Sequence, residues 1–309
     1  MTALFVTGAS GFIGRHVLTA LRQSRMSDVR CLTRRPAMLT TLPEWDPSWE
    51  CIPGDLLDTR SYAGALAPGS TVLHLAGAVG KCRPADFRRF NVEATRSLRD
   101  ACTAAGCAHF VYVSSIAATY PDVRSNYYAR SKRDAERLVR EGVLAFTILR
   151  PTVVFGPHSA ASDAMRRLAL LPFPVVFGSG QVEVQPVDVD DLAAVIAAAA
   201  REQWSGETVD VGGPETLTLE HLLALIRAAG GRSPRRPLHV PLEPLRLLLV
   251  LLEPLLHSAL PVTAGQLAAF AFSSRATPSA RLVPYAGQMR DVRSMIARSF
   301  PTVSPDAGK

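Results

Sequence analysis

The chain has 309 residues, 48% hydrophobic and 20% charged, as expected for a globular protein with one large α/β domain or a domain and a smaller lobe. Its net charge of +7 comes from arginine, because the only lysines are Lys81, Lys132 and Lys309. The arginines are scattered rather than clustered, which argues against nucleic-acid binding.

Cysteine usage indicates a reducing compartment. The five cysteines are odd in number and include no CxxC pair, which favours buried reduced thiols over a zinc site or a disulfide framework. The first predicted strand begins near residue 3, leaving no room for a signal peptide. We therefore expect a cytoplasmic protein without a bound metal.

The most informative motif is the run TGASGFIG from Thr7 to Gly14, which follows an apolar strand and precedes the first predicted helix. Strand, glycine turn and helix in this order predict a dinucleotide site rather than a turn without a ligand. Gly8 permits the tight turn, Gly11 lets the backbone approach a pyrophosphate, and Gly14 lets the helix pack on the strand. The helix N-terminus adds free N–H groups and a partial positive charge.

Strands and helices alternate through the first half of the chain. Strands are predicted at residues 3–6, 29–33, 50–55, 71–77, 109–115 and 145–150, and helices notably at 86–105 and 129–141. This alternation predicts an α/β fold with a doubly wound parallel sheet of the Rossmann type. Ligands bind such sheets at the carboxyl ends of the strands, so Gly8, Arg34, Asp55, Ala76 and Ser115 are expected to line one crevice.

The character of the sequence changes after residue 155, where prolines become frequent and the alternation lapses. We expect residues 1–155 to form an NAD(P)-binding Rossmann domain. Residues 156–309 would form a substrate-binding lobe with elements interleaved back onto the Rossmann core. Helices are predicted at 190–200 and 219–229, the tail from Gly230 is expected to form a small helical lobe, and the end from about Pro301 is expected to fray.

One apolar stretch, residues 245–260, is a candidate for membrane contact. It is interrupted by Arg246, Glu253, Pro254 and His257, and it is short for a spanning helix. The pattern favours a packing helix of the C-terminal lobe and leaves peripheral membrane contact open.

The catalytic chemistry is predicted from Ser115, Tyr128 and Lys132. A tyrosine and a lysine four residues apart share one helix face. The ammonium, helped by an oxidised nicotinamide, would lower the phenol pKa from about 10 toward neutrality, making Tyr128 a general acid/base. Lys132 can also hold the nicotinamide ribose, and Ser115 can orient a substrate carbonyl or alcohol. The alternative is a chance pattern on an ordinary helix, which the order of the motifs disfavours.

With these motifs the chain resembles the short-chain dehydrogenase/reductase superfamily, in its extended or atypical branch of NAD(P)-dependent epimerases and dehydratases. The resemblance covers residues 3–230. It also rests on the segments 54–56, 74–78, 110–115, 149–157, 187–193 and 212–214.

The resemblance implies that Ser115, Tyr128 and Lys132 form the catalytic triad, with Asn91 supporting the lysine. It also implies contacts to the cofactor from Gly8, Ser10, Gly11, Phe12, Ile13 and Gly14 in the turn, Asp55 and Leu56 at the adenine, Ala76, Gly77 and Lys132 at the nicotinamide ribose, and Pro151 and Val154 beside the nicotinamide.

The second strand leads into Arg34 and Arg35, where an acidic residue would suit the free ribose hydroxyls of NAD. A guanidinium suits a 2′-phosphate through charge-assisted hydrogen bonds, and Arg15 could join the same pocket. The sequence therefore favours NADP over NAD, the alternative being that both arginines are surface residues.

Within the superfamily, the chain departs from the sugar-nucleotide enzymes. Residues 178–186 lack the arginine that those enzymes place on a diphosphate. Segments 185–191 and 261–267 are closer to atypical members similar to the dehydrogenase-like accessory subunit of respiratory complex I. Several of those members have lost the catalytic tyrosine or lysine, whereas this chain keeps both, which favours an enzyme.

Three functions therefore remain open. The first is an NADP-dependent oxidoreductase acting on a carbonyl or secondary alcohol of a small molecule. The second is an epimerase or dehydratase that regenerates its cofactor. The third is a non-catalytic nucleotide-binding assembly or sensor subunit of a larger, membrane-associated complex. A monomer or a homodimer is expected.

Overall fold

The computed structural model describes residues 3–256 and 263–300. Its strands, in chain order, are β1 (Leu4–Thr7), β2 (Val29–Thr33), β3 (Glu50–Pro53), β4 (Thr71–His74), β5 (His109–Val113), β6 (Ala145–Pro151), β7 (Val154–Phe155), β8 (Val175–Phe177), β9 (Glu183–Val184), β10 (Val187–Asp188), β11 (Glu207–Val211), β12 (Leu217–Thr218) and β13 (Leu238–Val240).

The helices connect and cover these strands. They are α1 (Phe12–Gln23), α2 (Pro36–Thr40), α3 (Pro84–Phe87), α4 (Ala94–Ala104), α5 (Tyr127–Arg140), α6 (Ala160–Leu170), α7 (Val189–Glu202), α8 (Leu219–Ala229), α9 (Leu242–Leu256), α10 (Ala264–Ala268), α11 (Val283–Ala286) and α12 (Val292–Ser299).

Seven parallel strands form the central sheet in the order β3-β2-β1-β4-β5-β6-β11. Every residue of β1 and β5 is buried, because helices cover both faces, which explains the continuous apolar runs. The apolar sides of α1 and α7 pack on one face, and those of α4 and α5 on the other. The predicted Rossmann-type α/β fold is confirmed, since the strand order reverses between β1 and β4 as in doubly wound sheets.

The helix predicted over residues 86–105 is interrupted. A π-helical turn, Arg88–Glu93, separates α3 from α4. Such turns insert one extra residue into a helix and often occur at functional sites. Here the turn contains Asn91, which is 1% exposed.

The second half of the chain contributes to both the sheet and a separate lobe. Strand β11 pairs with β6 and α7 packs against α1, whereas α6, α8 and α12 surround a second core. The short pairs β7–β10, β9–β12 and β8–β13 were not predicted, because strands of two or three residues carry no periodic signal.

Helix α9 covers most of the apolar stretch flagged in the sequence. It packs on α10 through Leu249, Ala264 and Leu267. Residues 257–260 of that stretch and the predicted frayed end from Pro301 lie outside the described residues. Within the described ranges, no helix is long and apolar enough to cross a membrane.

Candidate active site

The glycine turn after β1 is packed too closely to accept side chains. Gly8 has φ +77°, and a Cβ there would lie 2.6 Å from the Ala76 nitrogen. A Cβ at Gly14 would lie 2.2 Å from the Gly8 oxygen. Gly11 is the N-cap, and α1 begins at Phe12. The first N–H groups of α1 therefore lack partners within the helix and are available to an anion.

Beside this turn, a cavity of about 420 Å³ opens at the carboxyl edge of β1 to β4. It brings together seven of the predicted cofactor residues: Gly8, Ser10, Arg34, Asp55, Leu56, Ala76 and Gly77. Arg35 also lines it. Of the five residues expected in one crevice, Gly8, Arg34, Asp55 and Ala76 line this cavity, and Ser115 does not.

Eight further lining residues were not predicted as cofactor contacts: Thr7, Leu32, Thr33, Met38, Gly54, Ala78, Phe90 and Ala94. Met38 in α2 and Phe90 in the π-helical turn supply apolar side chains suited to the face of a purine. The one indication in the sequence was that Met38 and Phe90 follow the strands β2 and β4, whose carboxyl ends lie at the cavity. The sequence does not show which face of a short helix turns inward.

Other predicted cofactor residues lie outside this cavity. Phe12 and Ile13 form the first turn of α1, and the Phe12 ring lies against Gly156. Pro151 ends β6, and Val154 begins β7. Arg15 is exposed and does not line the cavity.

The hydroxyl groups of Ser115 and Tyr128, separated by twelve residues in the chain, lie close enough for the Ser115 hydroxyl to lower the pKa of the Tyr128 phenol. Ser115 follows β5 and caps a short 3₁₀ turn, its Oγ accepting a hydrogen bond from the Ala117 N–H at 3.2 Å. Tyr128 lies in the first turn of α5, whose N-cap Asn126 accepts from the Ala129 N–H at 3.0 Å. Both caps fix the backbone that positions the two hydroxyls.

Lys132 lies one helical turn beyond Tyr128 and is 6% exposed. Its Nζ donates a hydrogen bond to the Val113 carbonyl at 3.0 Å and lies 4.9 Å from the centre of the Tyr112 ring. Burial lowers the pKa of Lys132 to about 8, and Glu136 opposes this shift. The carbonyl and the ring face compensate part of the cost of burying the ammonium.

The expected lowering of the Tyr128 pKa does not arise from these residues alone. Burial raises the pKa of Tyr128, and the nearby Ser115 hydroxyl opposes the rise. Lys132 donates a hydrogen bond to the Val113 carbonyl, and the opposing effect on the phenol pKa comes from Ser115 rather than from Lys132. A phenol active near neutral pH therefore requires a further positive charge.

Gly77 joins the catalytic residues to the cavity. A Cβ at Gly77 would lie 2.8 Å from Asn91 Oδ1 and 3.6 Å from Lys132 Nζ. Asn91 Oδ1 accepts from the Ala78 N–H at 2.6 Å, and Asn91 Nδ2 donates to Ser131 Oγ at 2.8 Å. Asn91 thus fixes the backbone beside the lysine, so any support it gives Lys132 is indirect.

A buried chain of hydrogen bonds, not foreseen from the sequence, runs from β1 to the π-helical turn. His74 Nδ1 lies 2.7 Å from Thr7 Oγ1, and His74 Nε2 lies 2.9 Å from Thr95 Oγ1. Thr95 donates its hydroxyl proton to the Asn91 carbonyl, so His74 Nε2 must donate to Thr95 and Nδ1 must accept from Thr7. Burial, aided by Lys132, lowers the pKa of His74 to about 3, so the ring is neutral.

Comparisons with known proteins indicate the family and the fold of the chain. Residues 4–212 match the model of the NAD dependent epimerase/dehydratase family. The chain is similar to a ceramide reductase of Caulobacter vibrioides, with 35% identity over 63% of this chain and 60% of that protein. It is also similar to the mitochondrial NADH dehydrogenase [ubiquinone] 1 alpha subcomplex subunit 9 of Dictyostelium discoideum, with 25% identity over 72% of this chain and 62% of that protein.

Among solved structures, the crystal structure of gox2253 matches with a TM-score of 0.74 and 25% identity, covering 97% of each chain. The matches to the two curated relatives span only about three fifths of their length. The structural match extends beyond these sequence matches, into the C-terminal lobe.

Proposed function

This chain belongs to the NAD dependent epimerase/dehydratase family, and on that premise we propose that it is an NADP-dependent oxidoreductase. Its substrate class is a carbonyl compound or a secondary alcohol. The observation that carries the proposal is the proximity of the Ser115 and Tyr128 hydroxyls, with Lys132 buried one turn away beside Gly77 of the cavity.

The residues of the cavity fit a dinucleotide. Gly8 and Gly14 leave no space for side chains where the turn approaches Ala76 and α1, and the N-terminus of α1 suits a pyrophosphate. Arg34 and Arg35 border the cavity beyond β2 and supply charge for a 2′-phosphate. The Asp55 carboxylate accepts a hydrogen bond from the Leu57 N–H, so it is bound to the backbone two residues further along the chain. This arrangement supports NADP as the preferred cofactor.

The nicotinamide supplies the hydride donor or acceptor and, when oxidised, a positive charge. In the reductive direction, Tyr128 donates its phenolic proton to the substrate oxygen as that oxygen gains charge, and the same proton returns on oxidation. Ser115 donates a hydrogen bond to the same oxygen and holds it in place. Lys132 stabilises the phenolate through space and holds ribose hydroxyls. These roles of Ser115, Tyr128 and Lys132, and those of the other predicted cofactor residues, are proposals.

A sugar nucleotide is disfavoured as the substrate. Residues 178–186 contain no arginine to pair with a diphosphate. The similarity to a ceramide reductase supports a reductase reaction on a carbonyl. We further propose a cytoplasmic location and a monomer or homodimer.

The test is a matched pair of tyrosine variants. The protein is incubated with a metabolite extract and NADPH, and products are followed by untargeted mass spectrometry. Tyr128→Phe should abolish the conversion, whereas Tyr127→Phe should retain it, because Tyr127 is its exposed neighbour on α5. Both variants should still bind NADPH.

The same experiment separates the alternatives. A Tyr128-dependent product formed without net loss of NADPH would instead identify an epimerase or dehydratase. Retained nucleotide binding with no Tyr128-dependent product would favour a non-catalytic assembly role, as suggested by the similarity to a subunit of NADH dehydrogenase.

A further inference from the structure

Helix α9 is apolar on two opposite sides. Leu249 is 4% exposed and packs on α10, whereas Leu247, Leu248, Val250 and Leu251 are 44 to 66% exposed. At about 100° per residue, these four side chains fall within an arc of roughly 160° on the side away from Leu249. A helix that is apolar all round is typical of a site that is covered or lies in lipid.

Further exposed apolar side chains lie in segments that precede α9 in the chain. Of the twelve exposed large hydrophobic residues in the described ranges, seven lie between Leu171 and Leu251. Besides the four on α9, they are Leu171, Phe173 and Leu238. Strand β13 pairs with β8 and ends two residues before α9 begins. We call this set of seven residues the apolar face.

The charge beside the apolar face is positive. Residues 221–242 contain no aspartate or glutamate, and their loop exposes Arg232, Arg235 and Arg236. The Arg235 guanidinium lies 5.3 Å from the centre of the exposed Phe173 ring. An arginine stacked on an aromatic ring next to leucines combines an anion-binding group with apolar anchors.

This basic loop has a fixed position. The buried Arg227 donates from Nε to the Ser233 carbonyl at 2.7 Å and from Nη1 to the Ala169 carbonyl at 2.8 Å, which ties the loop to α6. The carboxylate in the first turn of α9, Glu243, is neutralised by Arg246 at 2.7 Å. The positive charge of the loop is therefore held beside Phe173 of the apolar face.

We propose that the apolar face docks onto a bilayer that contains anionic lipids. The leucines of α9 enter the boundary between head groups and acyl chains, and the arginines bind lipid phosphates. Helix α9 has 15 residues and lies along the interface rather than crossing it. A second copy of the chain is a poorer occupant, because a symmetric interface would bring two basic loops together.

Docking would place the bilayer near the catalytic helix. Arg246 Nη1 donates to Ser125 Oγ at 2.9 Å, and Ser125 immediately precedes the N-cap of α5. The docking proposal rests on this surface and not on the proposed oxidoreductase activity, since it is measured without substrate.

The test is flotation of the full chain with vesicles of phosphatidylcholine, with and without phosphatidylglycerol. We expect binding to the anionic vesicles that weakens with salt. Leu247→Glu with Leu251→Glu should reduce it by about tenfold or more. Replacing Arg232, Arg235 and Arg236 by serine should reduce it by on the order of one hundredfold. The control is Val143→Glu, at a site 84% exposed on the turn before β6, which should bind normally.

An unchanged thermal unfolding transition shows that each variant is folded. No binding to the anionic vesicles, or equal binding by the double leucine variant and by Val143→Glu, overturns the proposal. A third outcome is that the chain self-associates in the absence of vesicles, with the double leucine variant remaining monomeric. That result also overturns the proposal and assigns the apolar face to a second copy of the chain.

Discussion

The carboxylate of Glu136 on α5 and the guanidinium of Arg150 on β6 form a bidentate ion pair, with Arg150 Nε 2.8 Å from Oε1 and Nη2 2.6 Å from Oε2. The Glu136 side chain is 2% exposed and also accepts a hydrogen bond from Ser114 at 2.7 Å. The pair fixes the helix that carries Tyr128 and Lys132 against β6, and the hydrogen bond from Ser114 ties the same carboxylate to the segment between β5 and Ser115.

Arg150→Met should destabilise the fold by about 2 to 4 kcal/mol, because it removes the bidentate partner of a buried carboxylate, which then keeps only the more exposed Arg140 and the Ser114 hydroxyl. The control on the same helix is Arg137→Met, whose pair with Asp134 is exposed and should be worth about 0.5 kcal/mol or less. The measurement is urea unfolding of both variants. Equal losses of unfolding free energy in the two variants would show that the buried pair stabilises the protein no more than the exposed pair does.

The cost of Arg150→Met should depend on pH. Burial alone would raise the pKa of Glu136, but the hydrogen bonds from Arg150 and Ser114 outweigh it and lower the pKa. A lowered folded-state pKa stabilises the protein above the unfolded value of about 4.3, and this stability is lost as the pH falls below that value. The difference between the variant and the unmodified chain should therefore shrink in acid. A constant difference down to the folded-state pKa would contradict this account.

Gly14→Ala should destabilise the protein and weaken nucleotide binding. The new methyl group would lie 2.2 Å from the Gly8 oxygen and 2.6 Å from the Ala9 oxygen, so α1 must move away from the turn, at a cost of about 1 to 3 kcal/mol or more. Gly64→Ala is the control, since nothing lies within 4 Å of its added Cβ. Thermal unfolding and NADPH titration check both, and similar behaviour of the two variants would reject the steric argument.

Arg34→Ala should separate the two cofactors. Loss of a charge-assisted hydrogen bond to the 2′-phosphate should weaken NADPH binding by about tenfold to one hundredfold, and NADH binding should hardly change. Arg275→Ala, at an exposed ion pair with Glu183, is the control. Calorimetric titration with both nucleotides is the measurement. Unchanged NADPH affinity would make Arg34 a surface residue.

Lys132 should impose a pH dependence on nucleotide binding. Because burial lowers the pKa of Lys132 to about 8, the ammonium is present below that pH and is lost above it. We expect NADPH affinity to fall as the pH rises through this value. Lys132→Met should bind more weakly, and its affinity should be flat over the same range, as followed by NADPH fluorescence. A fall that persists in the variant would assign the titration to another group.

The sequence was most informative where burial is complete. The strands β1 and β5 are apolar throughout, so their positions and the turn after Thr7 could be predicted from the run of residues alone. Parts of the candidate site could be predicted where two motif residues lie on one helix, because the helical repeat fixes which residues share a face. Tyr128 and Lys132, four residues apart on α5, are the example.

What could not be predicted depends on contacts between distant segments. His74 looks like one residue of an apolar strand, and its links to Thr7 and Thr95 appear only when β4 lies beside β1 and the π-helical turn. The pKa of Tyr128 depends on local burial and on the nearby Ser115 hydroxyl, neither of which the four-residue spacing reveals. The exposure of Leu247 and Leu251 likewise follows from how α9 packs on α10.

The return of β11 to the sheet has a consequence for any shortened form of this protein. A chain ending at residue 155 would lose the partner of β6 and also α7, which covers the apolar side of α1. Strand β6 would become an unprotected edge, able to pair with other chains. We expect such a fragment to aggregate rather than bind nucleotide, so the nucleotide-binding half depends on residues encoded after it.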